Sequence, residues 1–283
     1  MRDAERPISL NDLPRYSRWP AILLNAAAMP LKSRTTAEVF REYDREKWGK
    51  VLASLQQTGK FSDADLLAEQ GVDPQAEIAF ARGDYFFVAP ALQVMGEYEE
   101  LLTDTLSEFK AEAVIELGCG LGDKVLGVAS RLGIKEVYGG EFTPSGVRCG
   151  QILSERRKLP AHFQHFDYND FSTLAGFPEG ALIYTSHSIE QIPQLKESFI
   201  EGVIGKKPRA VVHLEPCYAD HDASGLIGLM RKRYAEVNDY NRNLSGMIRS
   251  FENAGRLRVL RHEKNIFSDT PFNPTSIIVW QPA

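Results

Sequence analysis

The sequence predicts an α/β protein with a doubly wound, mostly parallel sheet. From residue 111 onward, short apolar runs rich in β-branched residues alternate with helical stretches, which is typical of parallel strands joined by crossover helices. The last two runs are joined by a Pro/Asn-rich loop without room for such a helix, so they should pair antiparallel at one edge. A long helix is predicted over residues 224–254. The seven predicted strands are 113–117, 137–141, 161–166, 181–185, 210–215, 256–263 and 276–281.

Residues 1–110 are predicted to form an amino-terminal arm and a helical cap, and residues 111–283 the sheet domain. Thr35 and Glu38 have the spacing of a capping box, and apolar residues then recur at helical spacing. Further helices are predicted at 62–67, 74–82 and 89–109. The segment 84–87, between two of these helices, is expected to reach over a ligand pocket.

Composition and charge narrow the class of protein. The chain has 283 residues, 43% of them hydrophobic and 25% charged, which is ordinary globular composition. Its net charge of -5 disfavours a nucleic-acid backbone as the main partner, since that partner needs a basic face. Residues 1–110 hold 13 Lys/Arg and 18 Asp/Glu, whereas the rest holds 20 of each. An acidic cap suits a polar, hydroxylated or cationic ligand better than a phosphorylated one.

Cysteine usage and hydropathy indicate the compartment. Three widely spaced cysteines without a CxxC pair disfavour a disulfide framework or a zinc site and favour a reducing cytoplasm. Residues 19–29 look only slightly like a signal peptide, because they are short, broken by Pro20 and Asn25, and preceded by a charged leader. No apolar run approaches the ~18 residues of a transmembrane helix. We therefore expect a cytoplasmic protein without a membrane partner.

The stretch 114–122, Val-Ile-Glu-Leu-Gly-Cys-Gly-Leu-Gly, is the most informative in the sequence. A strand ends in Glu116 and enters a turn with Gly118, Gly120 and Gly122 at alternate positions, before a helix. Such glycines let the backbone turn sharply and let a ligand approach the free N–H groups of the helix. The spacing is GxGxG rather than GxGxxG, and a pyrophosphate would sit badly beside Glu116. A ligand with a positive amino-acid end suits this acid, although small residues for packing are the alternative interpretation.

A second acid follows at the end of the next predicted strand. Glu141 comes nineteen residues after Gly122, where a carboxylate can accept both hydroxyls of a ribose. Phe142 follows it and can lie on an adenine ring.

In these residues the sequence resembles the class I S-adenosylmethionine-dependent methyltransferases. The resemblance covers residues 111–283, including the final antiparallel pair, and implies a Rossmann-like seven-stranded sheet with S-adenosylmethionine as cofactor. It implies that Glu116 stands near the cofactor's amino group and that Glu141 holds the ribose. It also implies that Asp167 accepts from the adenine amine, with Asp170 as its rival and helix capping as the alternative for both. The implied cofactor-binding residues are Glu116, Gly118, Cys119, Gly120, Gly122, Glu141, Phe142, Asp167, Tyr168 and Ser186.

Candidate catalytic residues follow the fourth and fifth strands, because ligands bind beyond the carboxyl ends of such strands. His187 comes just after the fourth strand and Glu190 three residues later, so both can share one face of a helical turn. An imidazole steadied by a carboxylate can take the proton from an acceptor hydroxyl. The alternative is that His187 packs against the cofactor and Glu190 caps a helix.

Glu215, at the end of the fifth strand and before Pro216, is expected to face the site as a second candidate base or as a ligand of an acceptor hydroxyl. Residues 213–222 carry oxygen and nitrogen groups that can bind a divalent metal, but we predict no required metal. For residues 220–222, Asp-His-Asp, a solvated loop is the plainer interpretation.

These features predict an enzyme that moves a methyl group to a hydroxyl of a small molecule, such as a natural product or sugar. N-methylation of a small amine or a protein side chain is the alternative. Against it, Ser186-His187 stands where nucleobase and glutamine N-methyltransferases have an NPPY- or DPPY-type tetrapeptide. A non-catalytic cofactor-binding subunit is a third possibility. No Lys/Arg cluster exceeds 231–233, which disfavours RNA. The resemblance also allows a homodimer through the amino-terminal helices.

Overall fold

Strands and helices alternate along most of the chain. The computed structural model describes residues 5–25, 32–58, 62–69 and 71–283. The strands in this part are β1 (Arg6–Ile8), β2 (Glu77–Arg82), β3 (Tyr85–Pro90), β4 (Ala113–Leu117), β5 (Glu136–Glu141), β6 (His162–His165), β7 (Leu182–Ser186), β8 (Ala210–Pro216), β9 (Leu257–Phe267) and β10 (Thr275–Pro282). The α-helices in it are α1 (Trp19–Leu24), α2 (Thr36–Phe40), α3 (Gly49–Thr58), α4 (Asp63–Glu69), α5 (Ala91–Ser107), α6 (Asp123–Leu132), α7 (Pro144–Arg157), α8 (Glu197–Gly205), α9 (Leu226–Val237) and α10 (Leu244–Asn253). A π-helical stretch, Arg41–Trp48, joins α2 to α3.

The larger sheet has seven strands in the order β6-β5-β4-β7-β8-β10-β9. Strands β4 to β8 are parallel, and β10 inserts antiparallel between β8 and β9. The predicted sheet with an antiparallel last strand is therefore confirmed. Starting at β4, the chain adds β5 and β6 on one side of it. It then returns to the other side of β4, where β7 and β8 follow. The carboxyl ends of β4 and β7 thus flank the switch point at which ligands bind in open α/β sheets.

The sheet is covered on both faces, which explains the continuous apolar runs of its strands. Successive residues of a strand point to opposite faces. Val114 of β4 and Leu182 of β7 pack into one apolar cluster, whereas their neighbours Ile115 and Ile183 pack into the other. All four side chains are buried.

The helix predicted over 74–82 is wrong, because these residues form a turn and β2. Strand β2 pairs antiparallel with β3, which pairs with β1, so the cap contains a three-stranded sheet beside its helices. Gly83, at φ 56°, and Asp84 make the two-residue connection between β2 and β3. A short apolar run does not distinguish strand from helix by periodicity, but a Gly-Asp pair between two such runs is a hairpin signal.

The long helix predicted over 224–254 is interrupted. Helix α9 ends before Asp239, which has a left-handed φ of 52°, and α10 begins at Leu244. The Asn241 side chain accepts from the backbone N–H groups of Asn243 and Leu244 and donates to the Ile192 carbonyl. Asparagine side chains compete in this way with helical hydrogen bonds. The break brings residue 240 to the cavity described below.

Two further predictions concern the amino-terminal segment and membranes. Residues 26–29 of the signal-like stretch and residues 1–4 of the arm lie outside the described residues, whereas Trp19–Leu24 forms α1. In the described ranges, no helix is both long and apolar enough to cross a bilayer.

The buried His213 predicts a pH dependence of stability. Its Nδ1 lies 3.0 Å from Thr185 Oγ1, and its Nε2 accepts from Trp280 Nε1 at 3.0 Å. Burial lowers the pKa of His213 to about 3, while an unfolded histidine titrates near pH ~6.5. Below that pH the unfolded chain binds a proton that the folded chain does not. The free energy of unfolding should therefore fall as the pH drops, by up to about 1.4 kcal/mol per unit from this residue.

We expect His213→Gln to reduce this pH slope between pH 7 and 5 in urea unfolding experiments. The matched control is His162→Gln, the same substitution at an exposed histidine. A slope that His213→Gln leaves unaltered would contradict the prediction.

Candidate functional site

A cavity of about 720 Å³ lies at the carboxyl ends of β4, β5 and β7. Its walls come from the glycine turn, the segments after these strands, and the cap. Of the predicted site residues, those that line the cavity are Glu116, Gly118, Cys119, Gly120, Glu141, Phe142, Asp167, Tyr168, Ser186, His187 and Glu190. Gly122 and Glu215 are not among the lining residues.

The glycine turn leaves β4 in a conformation that side chains rarely adopt. Gly118 has a φ of 74°, and a Cβ there would lie 2.4 Å from Ser188 Cβ. The N–H groups of Gly118 and Cys119 both donate to the Gly140 carbonyl, at 2.8 and 2.9 Å. Gly122 is not among the residues that line the cavity; it is the N-cap residue of α6, with a φ of 76°. The turn is therefore fixed by its neighbours before any ligand binds.

Glu116 is a buried acid in the cavity wall. The residue is 1% exposed, and burial raises the pKa of Glu116 to about 8, against the opposing charge of Lys124 and the neighbouring Tyr184 hydroxyl. A buried carboxyl group is costly unless charges or donors reach it. Its place in the cavity wall makes it a candidate partner for a ligand ammonium group.

Glu141 is held in a fixed orientation at the end of β5. Oε2 accepts from the Gly120 N–H at 2.9 Å, and Oε1 accepts from the Thr143 N–H and hydroxyl at 3.0 and 2.7 Å. Burial raises the pKa of Glu141, against these hydrogen bonds. Oε1 already accepts two hydrogen bonds, so Oε2 is the oxygen that retains acceptor capacity for a ligand hydroxyl.

The two rival acids after β6 have different surroundings. Asp167 lines the cavity and accepts from the Asn169 N–H at 2.8 Å. Asp170 is exposed and caps a short 3₁₀ helix by accepting from Ser172. Tyr168 is buried, and its hydroxyl donates to the Leu117 carbonyl at 2.8 Å. The ring of Phe142, also in the cavity wall, packs edge-on against a phenylalanine of α2.

His187 and Glu190 form a pair after β7. His187 Nδ1 lies 3.2 Å from Glu190 Oε2, and His187 Nε2 lies 2.7 Å from Thr275 Oγ1. Burial opposes charge on the imidazole, but the hydrogen bond and charge of Glu190 outweigh it and raise the pKa of His187. Both ring nitrogens are thus engaged within the protein. An acceptor hydroxyl reaches Nε2 only if Thr275 releases it.

Glu190 is itself enclosed by donors. Asn273 Nδ2 donates to Oε2 at 2.9 Å, and Gln191 Nε2 donates to Oε1 at 2.8 Å. Burial opposes ionisation of this carboxyl group, but the hydrogen bond and charge of His187, the hydrogen bond from Asn273 and the charge of Arg34 together outweigh it and lower the pKa of Glu190. His187 and Glu190 are therefore close together, as expected. Glu190 lies in a 3₁₀ turn over Ile189–Gln191, directly after His187 and Ser188.

Glu215 does not face the cavity, which corrects the expectation from its place at the end of β8. Its side chain is fully buried and accepts from the N–H groups of Ser188, Ile189 and Glu190 at 3.0, 3.2 and 3.4 Å. The parallel pairing of β7 with β8 brings this turn directly over the Glu215 carboxylate. Glu215 therefore holds the turn that carries the His187–Glu190 pair.

The segment 220–222 is also placed away from the cavity. Asp220 Oδ2 lies 2.8 Å from His262 Nε2, and His221 Nδ1 lies 3.0 Å from Asn265 Oδ1. Within the described part of the chain, no group of three or more potential metal ligands comes together.

Comparisons with known proteins show which solved structures share this fold. No protein-family model and no curated protein matches the chain, but solved structures do. Magnesium protoporphyrin IX methyltransferase (ChlM) from Synechocystis PCC 6803, with bound SAH, is 12% identical with a TM-score of 0.52, over 88% of this chain and 100% of that one. The [4+2]-cyclase SpnF is 14% identical with a TM-score of 0.55, over 90% and 98%. The fold is that of the class I methyltransferases. One of the two neighbours is a cyclase, so this methyltransferase fold does not by itself assign the reaction.

The cap supplies cavity residues that the sequence did not single out. Tyr98 of α5 hydrogen-bonds Ser186 Oγ at 2.7 Å, and Trp48 and Tyr43 come from the π-helical stretch. Tyr98 belongs to the apolar stripe of a predicted helix, and a buried tyrosine hydroxyl signals a polar partner. The other lining residues from the cap are Arg34, Thr36, Val39, Lys47, Leu67, Ile78, Ala91, Val94 and Met95.

The structure contradicts one expectation about the cap and removes the basis of another. The segment 84–87 lies in the turn and β3, none of its four residues lines the cavity, and Tyr85 is 75% exposed. The described cap residues in the lining include two basic side chains, Arg34 and Lys47, and no acidic one. Cap acids form ion pairs elsewhere, as Glu97 does with Arg82. The net charge of the cap is therefore no guide to the ligand.

We expect Glu215→Gln to destabilise the protein, since an amide nitrogen would face N–H groups that now donate to the carboxylate. The loss should be about 1–3 kcal/mol in urea unfolding. Glu179→Gln, at an exposed acid that forms an ion pair with Lys207, is the matched control. Unchanged stability with abolished turnover would show instead that Glu215 acts in the reaction.

Proposed function

We propose that the protein is an S-adenosylmethionine-dependent methyltransferase acting on a hydroxyl group of a small molecule. The observation that supports it best is the presence of Glu116, the glycine turn and Glu141 in the wall of the same cavity as the His187–Glu190 pair. The two similar solved structures are only 12% and 14% identical to this chain, so they support the fold alone. The residues of the cavity support the reaction.

The residues present fit the proposed cofactor. Glu116, a buried acid in the cavity wall, suits the ammonium group, and Glu141 Oε2, with spare acceptor capacity, suits a ribose hydroxyl. Asp167 rather than Asp170 is available for the adenine amine, because Asp170 caps a helix and Asp167 lines the cavity. When bound, S-adenosylmethionine supplies an electrophilic methyl group on a sulfonium leaving group. The protein's task is then mainly alignment of the acceptor.

The His187–Glu190 pair is the proposed acceptor of the hydroxyl proton. Glu190 holds Nδ1 and stabilises the charged imidazole, so the proton arrives at Nε2 once the Thr275 hydroxyl has turned away from it. Tyr43, Tyr234 and Tyr240 line the same cavity. Their rings and hydroxyls suit a hydroxylated acceptor with an apolar body.

N-methylation of a small amine is the second candidate. It is supported by the ionised Glu190, whose pKa is lowered, beside tyrosine rings that can attract a cation. A protein side chain as acceptor, a homodimer and a cytoplasmic location stay predictions.

Cofactor binding should depend on Glu141. We expect Glu141→Ala to raise the Kd for S-adenosylmethionine about 10- to 100-fold, which corresponds to the loss of hydrogen bonds to a charged group. Calorimetric titration measures this directly, with Asp170→Ala, an exposed acid outside the cavity, as the control that should bind normally. If Glu141→Ala bound as tightly as the unsubstituted protein, the cofactor assignment would fail.

Turnover should depend on His187 and on pH. We expect His187→Ala to lower kcat by about 100-fold or more with a hydroxyl acceptor. As a base, His187 must be neutral, so kcat/KM should rise with pH through its raised pKa, which lies above ~6.5. Glu190→Gln removes the cause of the raised pKa and should move this rise to lower pH. Initial rates from pH 5 to 9 test this, and a near-normal His187→Ala rate at every pH would remove it as the base.

A further inference from the structure

Lys124 is a lysine whose charged end lies in the wall of the cavity. It is the second residue of α6 and lines the cavity together with Ser186 and Tyr98. Its Nζ lies 3.3 Å from Ser186 Oγ, at the end of β7, and 5.4 Å from the centre of the Tyr98 ring in α5. Ser186 and Tyr98 are themselves buried and joined by a 2.7 Å hydrogen bond. Two neighbouring elements therefore hold the ammonium group at the strand ends.

The same strand ends carry Glu116. Glu116 lies opposite Tyr184 in the ladder between β4 and β7, and Ser186 follows two residues later, so the three side chains point to one face of the sheet. Burial raises the pKa of Glu116, and the charge of Lys124 is the strongest influence against that rise. No ion pair joins Lys124 to an acid within the described ranges. The cavity wall thus presents a carboxyl group and an ammonium group near each other.

A ligand group that suits this pair carries both charges itself. A lone ammonium group beside Glu116 would meet the like charge of Lys124, and a lone carboxylate beside Lys124 would meet the like charge of ionised Glu116. An amino-acid end has its ammonium and carboxylate groups on one carbon atom and can place each against its opposite charge. The Lys124 ammonium group has three N–H donors, of which Ser186 accepts one, so two remain for a carboxylate.

We propose that Lys124 Nζ binds the carboxylate of the cofactor's amino acid, so that Glu116 and Lys124 together select a zwitterionic ligand. This inference rests on the proposed function. Lys124 is then a binding residue outside the glycine motif. Ser186 and Tyr98 are positioning residues, because they keep its ammonium group in the cavity wall.

The test compares two ligands that differ only in the carboxylate, S-adenosylmethionine and its decarboxylated form. We expect the unsubstituted protein to bind S-adenosylmethionine at least about 10-fold more tightly in calorimetry, because the decarboxylated ligand lacks the charged partner of Lys124. Lys124→Met should raise the Kd for S-adenosylmethionine about 10- to 100-fold and reduce this preference about 10-fold or more. Lys135→Met, at an exposed lysine outside the cavity, should keep both Kd values.

The ratio of the two Kd values separates a direct contact from an indirect effect. If Lys124 only kept Glu116 ionised, Lys124→Met would weaken both ligands equally, since both carry the ammonium group, and the ratio would not change. That result would overturn the inference, as would an unchanged Kd for S-adenosylmethionine in the variant.

The unsubstituted protein gives a measurement that does not depend on how Lys124→Met folds. Equal affinities for the two ligands would overturn the inference and leave the proposed function standing, because S-adenosylmethionine would still bind. Failure of the unsubstituted protein to bind S-adenosylmethionine would overturn both.

Discussion

The geometry of the cavity depends on the buried carboxylate of Glu215. A fully buried acid requires donors, and three successive N–H groups after β7 converge on it. The chain reaches this arrangement through His187, whose backbone has a left-handed φ of 50°. Ser188 is then placed against Gly118, and Glu190 beside His187. One interaction at the end of β8 thus connects the glycine turn, the candidate base and its carboxylate partner.

The other buried acids differ in the hydrogen bonds that the protein donates to their carboxylate oxygens. Glu141 and Glu190 accept hydrogen bonds at both oxygens, so each has a fixed orientation. Glu116 is also buried, but its neighbours are the Tyr184 hydroxyl and the charge of Lys124, and it lies in the cavity wall.

Much of the fold could be predicted because strand burial and turn chemistry act locally. The apolar runs of β4 to β8 need cover on both faces, and Gly118 stands where no side chain fits. In the cap, the same reasoning failed for residues 74–82. Their apolar run is short enough for either a helix or a strand, and pairing with β3 decided the outcome.

The sequence by itself determined the order of the strands along the chain, the glycine turn and the acids at the ends of β4 and β5, because strand periodicity and backbone freedom are properties of neighbouring residues. Only the tertiary structure decided which polar side chains share the cavity. It turned Glu215 towards a loop and brought Trp48 and Tyr98 to strand ends far away in sequence. Side-chain direction at a strand end depends on which donors neighbouring strands and the cap bring near it, and that information is not local.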